Sequence, residues 1–305
     1  MTDCVITHVR YIALGVSDLD GQREFYRDVW GLEERESDAG LQYFGAPASG
    51  DPHVLRLRQA DTDRVDLISF AVPTAQDVDA FAARLAEAGV TLLSRPAESS
   101  GPGGGYGFRF FDHEGRTLEV MSEVQSVAAR PLAERDWHPG SLSHVVINTP
   151  DIETTAAWYG RHLGLPISDR LEDRMIFLRG NNNVHHTMAI AAAPHVSLNH
   201  VAYETRGIDE YLRASGRLIR AGLPCVWGPG RHGPGDNTFA YFSDRAGFVA
   251  EYTTALQVVD DWSTWQPRVH PINPEWSDQW GTACARNPEP FVGRPDLGVF
   301  DAPPV

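Results

Sequence analysis

The sequence is short of cysteine, of basic charge and of long apolar runs, and each shortage removes a class of protein. Cys4, Cys225 and Cys284 are the 3 cysteines, spread widely over 305 residues. That is neither a disulfide framework nor a CxxC zinc site, and a reducing cytoplasm is the expected location. The 26 basic residues face 41 acidic ones, giving a formal net charge of −15. No basic stripe is present to meet a phosphate backbone, so no nucleic-acid partner is expected and the acidity reads as solubility. No apolar run approaches the ~20 residues of a membrane span. The opening MTDCVITHVRYIALGV lacks a basic segment followed by a long apolar one, so neither a signal peptide nor membrane association is expected. What is present is a hydrophobic fraction of 42%. That is enough for a sizeable core, in a length that suits one very large domain or two ordinary ones.

Apolar residues from Tyr11 to Val16 predict a strand, closed by Ser17 and Asp18. Asp18 to Trp30 predicts a helix, with Asp18 as N-cap, Phe25 and Val29 on one face, and Gly31 as the stop. Val65 to Val72 reads as a second strand, and Gln76 to Gly89 as a second helix ended by glycine. The stretch GPGGGYG precedes a strand rather than a helix, so it reads as a loop at a hairpin entrance and not as a phosphate loop. The following FRFFDHEGRTLEVM predicts two strands turning at His113, Glu114 and Gly115. A polar connector, roughly Gln125 to Gly140, comes next, and then the pattern starts again.

SHVVINTPDIETTAAWYGRHLGL matches RYIALGVSDLDGQREFYRDVWGL element for element. Tyr26 pairs with Tyr159, Gly31 with Gly164 and Leu32 with Leu165, each 133 positions apart. Gly89 pairs with Gly222 at the same offset, and Gly115 with Gly247 at 132. One register held over more than a hundred residues is an internal repeat. The chain is therefore expected to be α+β, with two tandem homologous domains each made of two strand–helix–strands modules. The expected limits are 1–135 for the first domain, 136–255 for the second and 256–305 for a tail that packs on the second domain or forms an interface.

The second copy carries His144 in SLSHVVINTPD, His200 in SLNHVAYE and Glu251 in GFVAEYTT. Two imidazoles and a carboxylate on separate strands make one face of a first-row metal and leave other positions open for reactants. Projected onto the first copy, these fall on Tyr11, Ser69 and Glu119. The first copy keeps the carboxylate and has lost both imidazoles, so the second domain alone is expected to bind metal. His8, His53, His113, His138, His162, His195 and His270 have no ligand partners in register and read as surface or packing histidines.

Two further stretches make the pattern specific: GPGRHGPGDNTFAYFSDRAGFVAEY, from Gly228 to Tyr252, and VHHTMAI, from Val184 to Ile190. With the repeat and the His, His, Glu set, the chain resembles the type I extradiol catechol dioxygenases of the vicinal oxygen chelate superfamily, over about residues 6 to 255. That resemblance implies βαβββ modules forming a curved sheet around a central cleft in each domain. It implies Fe(II) held by His144, His200 and Glu251, with Mn(II) as an alternative, and O2 as co-substrate. One of His185 and His186 would be the acid–base histidine. Neighbours in a strand point to opposite faces, and the V-H-x-T pattern favours His185, with His186 as fallback. His232 and Tyr241 match the family's substrate-side pair, and Asp236 and Asn237 of the same loop, with Trp227, are expected to contact the substrate. The implied reaction inserts both oxygens of O2 into a catecholic ring in aromatic catabolism. Relatives that take a carboxylate-bearing catechol place arginine where this chain has Trp227, Trp276 and Ser277. A neutral catechol therefore follows, because indole cannot replace a guanidinium fork. Two rival readings remain: a non-oxidative metal-dependent isomerase or lyase of the same superfamily, and a metal-free small-molecule binding protein. A symmetric homo-oligomer is the expected assembly.

Overall fold

The computed structural model describes residues 6–35 and 40–295; Cys4 lies outside them. The first module is β1 (His8–Val16), α1 (Leu19–Glu24, continued by a π-wound segment Phe25–Trp30), β2 (Glu33–Glu34), β3 (Leu41–Gly45) and β4 (Leu55–Gln59). The second is β5 (Arg64–Ala71), α2 (Ala75–Glu87), β6 (Ala97–Glu98), β7 (Tyr106–Phe111) and β8 (Thr117–Ser122). The third is β9 (Ser141–Thr149), α3 (Ile152–His162), β10 (Ile167–Leu171), β11 (Met175–Leu178) and β12 (Met188–Ala192). The fourth is β13 (Ser197–Glu204), α4 (Ile208–Arg220), β14 (Cys225–Arg231), β15 (Thr238–Ser243) and β16 (Val249–Thr253). The tail adds β17 (Val269–His270), α5 (Pro274–Ser277) and α6 (Glu289–Val292).

Each pair of modules forms one sheet. The first runs β2-β3-β4-β1-β5-β8-β7-β6, and the second β14-β15-β16-β13-β9-β12-β11-β10-β17. The shared order is the predicted repeat, with β17 of the tail added at one edge. Local chemistry explains the element ends. Asp18 accepts from the backbone N–H of Gly21 to start α1, and Thr74 and Asp77 form a capping box at α2. Gly31 and Gly89 take φ of 92° and 77°, a left-handed turn that glycine adopts without the Cβ clash. On α2 the buried residues are Val78, Phe81, Ala82 and Leu85, the spacing of one helical face against the sheet.

The repeat offsets have a packing reason. The Tyr26 hydroxyl donates to Asp244 at 2.8 Å, and the Tyr159 hydroxyl donates to Asp112 at 2.9 Å. Each domain thus places its tyrosine on the other domain's hairpin turn. Trp30 and Tyr252 stack at 3.9 Å between the same domains, so the contact between them is part of the core.

This exchange is chemically unequal. Asp112 pairs with Arg116 at 2.7 Å, whereas the second turn has Phe248 in the corresponding place. Burial without a cation pushes the Asp244 carboxyl up to about 6. A carboxyl raised on folding contributes full stability below about pH 4, and that contribution is lost as pH rises through 6. Asp244→Asn escapes the loss. Its stability relative to the parent should be greater at pH 8 than at pH 4.5 by about 2–3 kcal/mol. Urea unfolding at the two pH values measures this, and equal differences would refute the assignment.

Strand register corrects one projection. Between β9 and β13, His144 faces Ala202 and Val146 faces His200. Between β1 and β5, Tyr11 faces Ser69 and Ala13 faces Leu67. His200 therefore corresponds to Leu67, not Ser69, while Tyr11 and Glu119 stand where predicted.

Candidate metal centre

β9, β13 and β16 are neighbours at the middle of the second sheet, and each contributes one side chain. Glu251 and His144 are both in register with Ala202 of the strand between them. His144, His200 and Glu251 are only 2%, 4% and 0% exposed. One ligand atom from each lies within 4.8 Å of the others. His200 Nε2 and both Glu251 carboxylate oxygens are buried with no hydrogen-bond partner. His200 Nδ1 donates to Asn199 Oδ1 at 2.7 Å, which fixes the tautomer and leaves Nε2 as a lone pair toward Glu251, 3.1 Å away. Burial holds the His144 imidazole down at about 3 and lowers His200 too, so both are neutral and able to ligate. Burial also raises Glu251, a cost that a bound cation would reverse. A buried carboxylate with no partner beside two neutral imidazoles fits a divalent metal.

The trio opens on a cavity of about 380 Å³. His186, Trp227, His232, Asn237 and Tyr241 line it, and Phe177 adds an aromatic wall. His232 Nδ1 donates to the Ser277 carbonyl at 3.0 Å, and its Nε2 lies 2.9 Å from the Tyr241 hydroxyl. Burial holds His232 at about 4, so the ring is neutral and its Nε2 accepts the Tyr241 proton. Tyr241 therefore keeps its lone pairs for a substrate hydroxyl.

Two sequence choices are corrected. His186, not His185, faces the cavity: its ring sits 4.4 Å from that of His144. Both histidines precede β12 in a bend, where strand alternation does not set the facing side. His185 instead reaches Asp169 at 3.1 Å, and His270 of the tail reaches the same carboxylate oxygen at 2.7 Å. A carboxylate only accepts, so both rings donate to it. His185 Nδ1 and His186 Nδ1 lie 3.0 Å apart, and where His186 donates across that contact its Nε2 is left with a lone pair toward the cavity. Asp236 is the second correction. It turns away from the cavity to pair with Arg231 at 2.7 Å and 3.0 Å.

The tail forms a wall of the site. Trp276, Ser277, Arg286 and Phe291 line the cavity, and Asn148 donates to the Phe291 carbonyl at 2.7 Å. The Arg286 guanidinium lies 5.2 Å from the Trp227 ring and 4.9 Å from that of Phe291. Arg286, Asn199, Asp169 and His270 were missed as site residues. Only the polar Asn199 beside a predicted ligand offered a sequence signal.

The Glyoxalase/Bleomycin resistance protein/Dioxygenase superfamily profile matches residues 6–120 and 141–252, one stretch for each sheet. The chain belongs to this superfamily. Among solved structures, the superfamily chain resembles a Mn(II)-bound glyoxalase from Novosphingobium aromaticivorans, with 41% identity, a TM-score of 0.92, and coverage of 97% of this chain and 98% of that one. It shares its fold with homoprotocatechuate 2,3-dioxygenase from Arthrobacter globiformis, at 23% identity, a TM-score of 0.83, and coverage of 97% and 93%. Metapyrocatechase 2 of Cupriavidus necator is 25% identical over 276 residues, covering 84% of this chain and 83% of that protein. A manganese-dependent 2,3-dihydroxybiphenyl 1,2-dioxygenase of Geobacillus genomosp. 3 is 25% identical over 254 residues, covering 77% and 80%. Among the described residues, no helix is long and apolar enough to cross a membrane.

Proposed function

We propose that the chain is an extradiol dioxygenase that cleaves a catecholic ring with O2, using Fe(II), or Mn(II) in its place, held by His144, His200 and Glu251. The observation that carries this reading is the set of proton-handling groups around the open side of the trio. His186 and the His232–Tyr241 pair line the same cavity as the two histidine ligands. A metal held by His144, His200 and Glu251 would supply Lewis acidity toward a catechol hydroxyl and a meeting point for the diol and O2. The chain's residues supply the rest. Trp227, Phe177 and Phe291 hold the aromatic ring and exclude water. The Tyr241 oxygen accepts from a substrate hydroxyl. His186 Nε2 takes a proton while its Nδ1–H passes to His185 Nδ1, and Asp169 stabilises the resulting imidazolium. Reversing these transfers returns the proton for ring opening.

Arg286 removes the ground for expecting a neutral substrate. The planar cation absent at Trp227 comes instead from the tail, stacked on that same indole. We therefore assign the substrate an anionic substituent directed to Arg286. Arg286→Gln should lower kcat/KM for carboxylate-bearing catechols about 10- to 100-fold, the range for a hydrogen bond to a charged group, and leave neutral catechols unchanged. Equal losses on both classes would sink the assignment.

The second reading is a non-oxidative isomerase or lyase, favoured by the 41% identity to a structure described as a glyoxalase. Anaerobically purified, metal-analysed protein separates the two. Oxygen uptake with ring-cleavage colour on a catechol panel is the expected result. Metal-dependent isomerisation of a hemithioacetal, with no oxygen uptake on any catechol, would replace the dioxygenase reading by the second.

A further inference from the structure

The first domain has its own cavity, of about 1090 Å³, at the place that corresponds to the metal cavity of the second. Strand register relates the two residue by residue. Ala13 faces Arg56 where Val146 faces Ala189, so Arg56 occupies the position of Ala189. Arg109 faces Glu119 where Tyr241 faces Glu251, so Arg109 occupies the position of Tyr241. Counted along β1, Arg10 stands where the second domain has Ser143, and His53 stands where it has His186. The first domain has neither imidazole ligand and carries guanidinium groups around the same space.

One of these cations replaces the metal's charge. Arg109 donates to Glu119 at 2.8 Å and the Tyr11 hydroxyl donates to it at 2.7 Å, so the surviving carboxylate is satisfied. The others have a carboxylate nearby but are short of hydrogen bonds. Arg10 and Arg56 line the cavity at 4% and 3% exposure, and each has Nε and Nη2 buried without a hydrogen-bond partner among the described residues. Asp51 lies 3.6 Å from Arg10, and Asp66 lies 3.9 Å from Arg56. Asp66 already accepts from Arg58 at 2.8 Å and 2.9 Å, and Arg64 stands 3.3 Å away. Two buried, unsatisfied guanidinium groups are costly unless something anionic meets them. Their presence in a chain of net charge −15 is not a matter of general basicity.

We propose that this cavity binds a small organic carboxylate, with Arg10 and Arg56 as its anchors. The guanidinium fork matches a carboxylate in two parallel hydrogen bonds. Beside them one part of the wall is aromatic: the His53 ring packs 4.4 Å from Tyr11 and 4.9 Å from Tyr43, and the Ser94–Gly104 stretch closes the opposite side with polar and glycine residues. That wall and the volume suit an organic body rather than a bare inorganic ion. The site is separate from the metal centre and does not depend on the reaction assigned there.

The test is calorimetric titration of the metal-loaded full chain with phthalate, and with inorganic phosphate at matched ionic strength. Phthalate should bind at one site in the first domain. Arg56→Ala, which installs the residue the second domain carries at that position, and Arg10→Gln should each weaken binding about 10- to 100-fold. Turnover at the metal centre should be unchanged, which also shows that the variants fold. Arg95→Ala at the exposed rim is a milder variant and should weaken binding severalfold. Phosphate binding as tightly as phthalate overturns the organic carboxylate. Phthalate binding that survives all three substitutions, or no phthalate binding at all, overturns the site.

Discussion

Glu251→Ala should leave the protein folded, abolish retained metal and lower turnover by at least about 10³-fold, the scale on which removal of a preorganised electrostatic group acts. The argument rests on what the carboxylate lacks. Both oxygens are buried without a partner, and burial raises the pKa, so the ion-free protein holds this group at a cost. Without metal, the alanine variant should therefore melt no lower than the parent at pH 8. With metal, the parent should gain stability by mass action, about 4 kcal/mol at a thousand times the dissociation constant, and the variant should gain none. Metal analysis and a melting series with and without Fe(II) read both effects. Stoichiometric metal in the variant would remove Glu251 from the ligand set.

His186→Gln should cost about 10²- to 10⁴-fold in kcat, the usual contribution of a positioned acid–base group, with metal content unchanged. His185→Gln should cost less, about 10- to 100-fold, because it acts through the orientation and proton supply of His186 rather than on the substrate. The two differ in more than size. Loss of His185 separates His186 from Asp169 and should change the pH profile of kcat, whereas loss of His186 should flatten it. If the larger effect and the flat profile belonged to His185, the sequence's first choice would be restored.

The fold was legible because two copies of one pattern check each other. Tyr26 and Tyr159 keep a common offset because both bridge the same interface, and Gly31 and Gly164 because both end a helix with positive φ. The ligands were legible for the same reason, since one copy had lost what the other kept. The errors arise where local geometry breaks the period. The register slips by one residue between Leu198 and His200, and between Ala13 and Leu14. Both copies carry that bulge, so the offset of 133 runs through it and sets His200 on Leu67, whereas the projection onto Ser69 is two residues out of step. His185 and His186 lie before their strand, where alternation has not begun. Arg286, His270 and Phe291 lie in the tail, which has no copy to align with. His53 read as packing although the repeat offset of 133 already pairs it with His186.

The crossed tyrosines have a consequence for the chain's ancestry. Tyr159 and Asp244 both belong to the second domain, and there they stand as Tyr26 and Asp112 stand in the first. The second half therefore carries both members of the exchange and is complementary to itself. Two such halves related by a two-fold axis would set each tyrosine against the other's aspartate, the arrangement of an isologous dimer. The covalent chain has the form of that dimer with its halves joined, and a joined pair leaves each half free to differ from the other. What the second half requires of the first is Asp112 and Tyr26 at its surface. Nothing in that requirement extends to the first half's metal-binding positions, where tyrosine and leucine stand in place of the two imidazoles and arginines surround the surviving carboxylate.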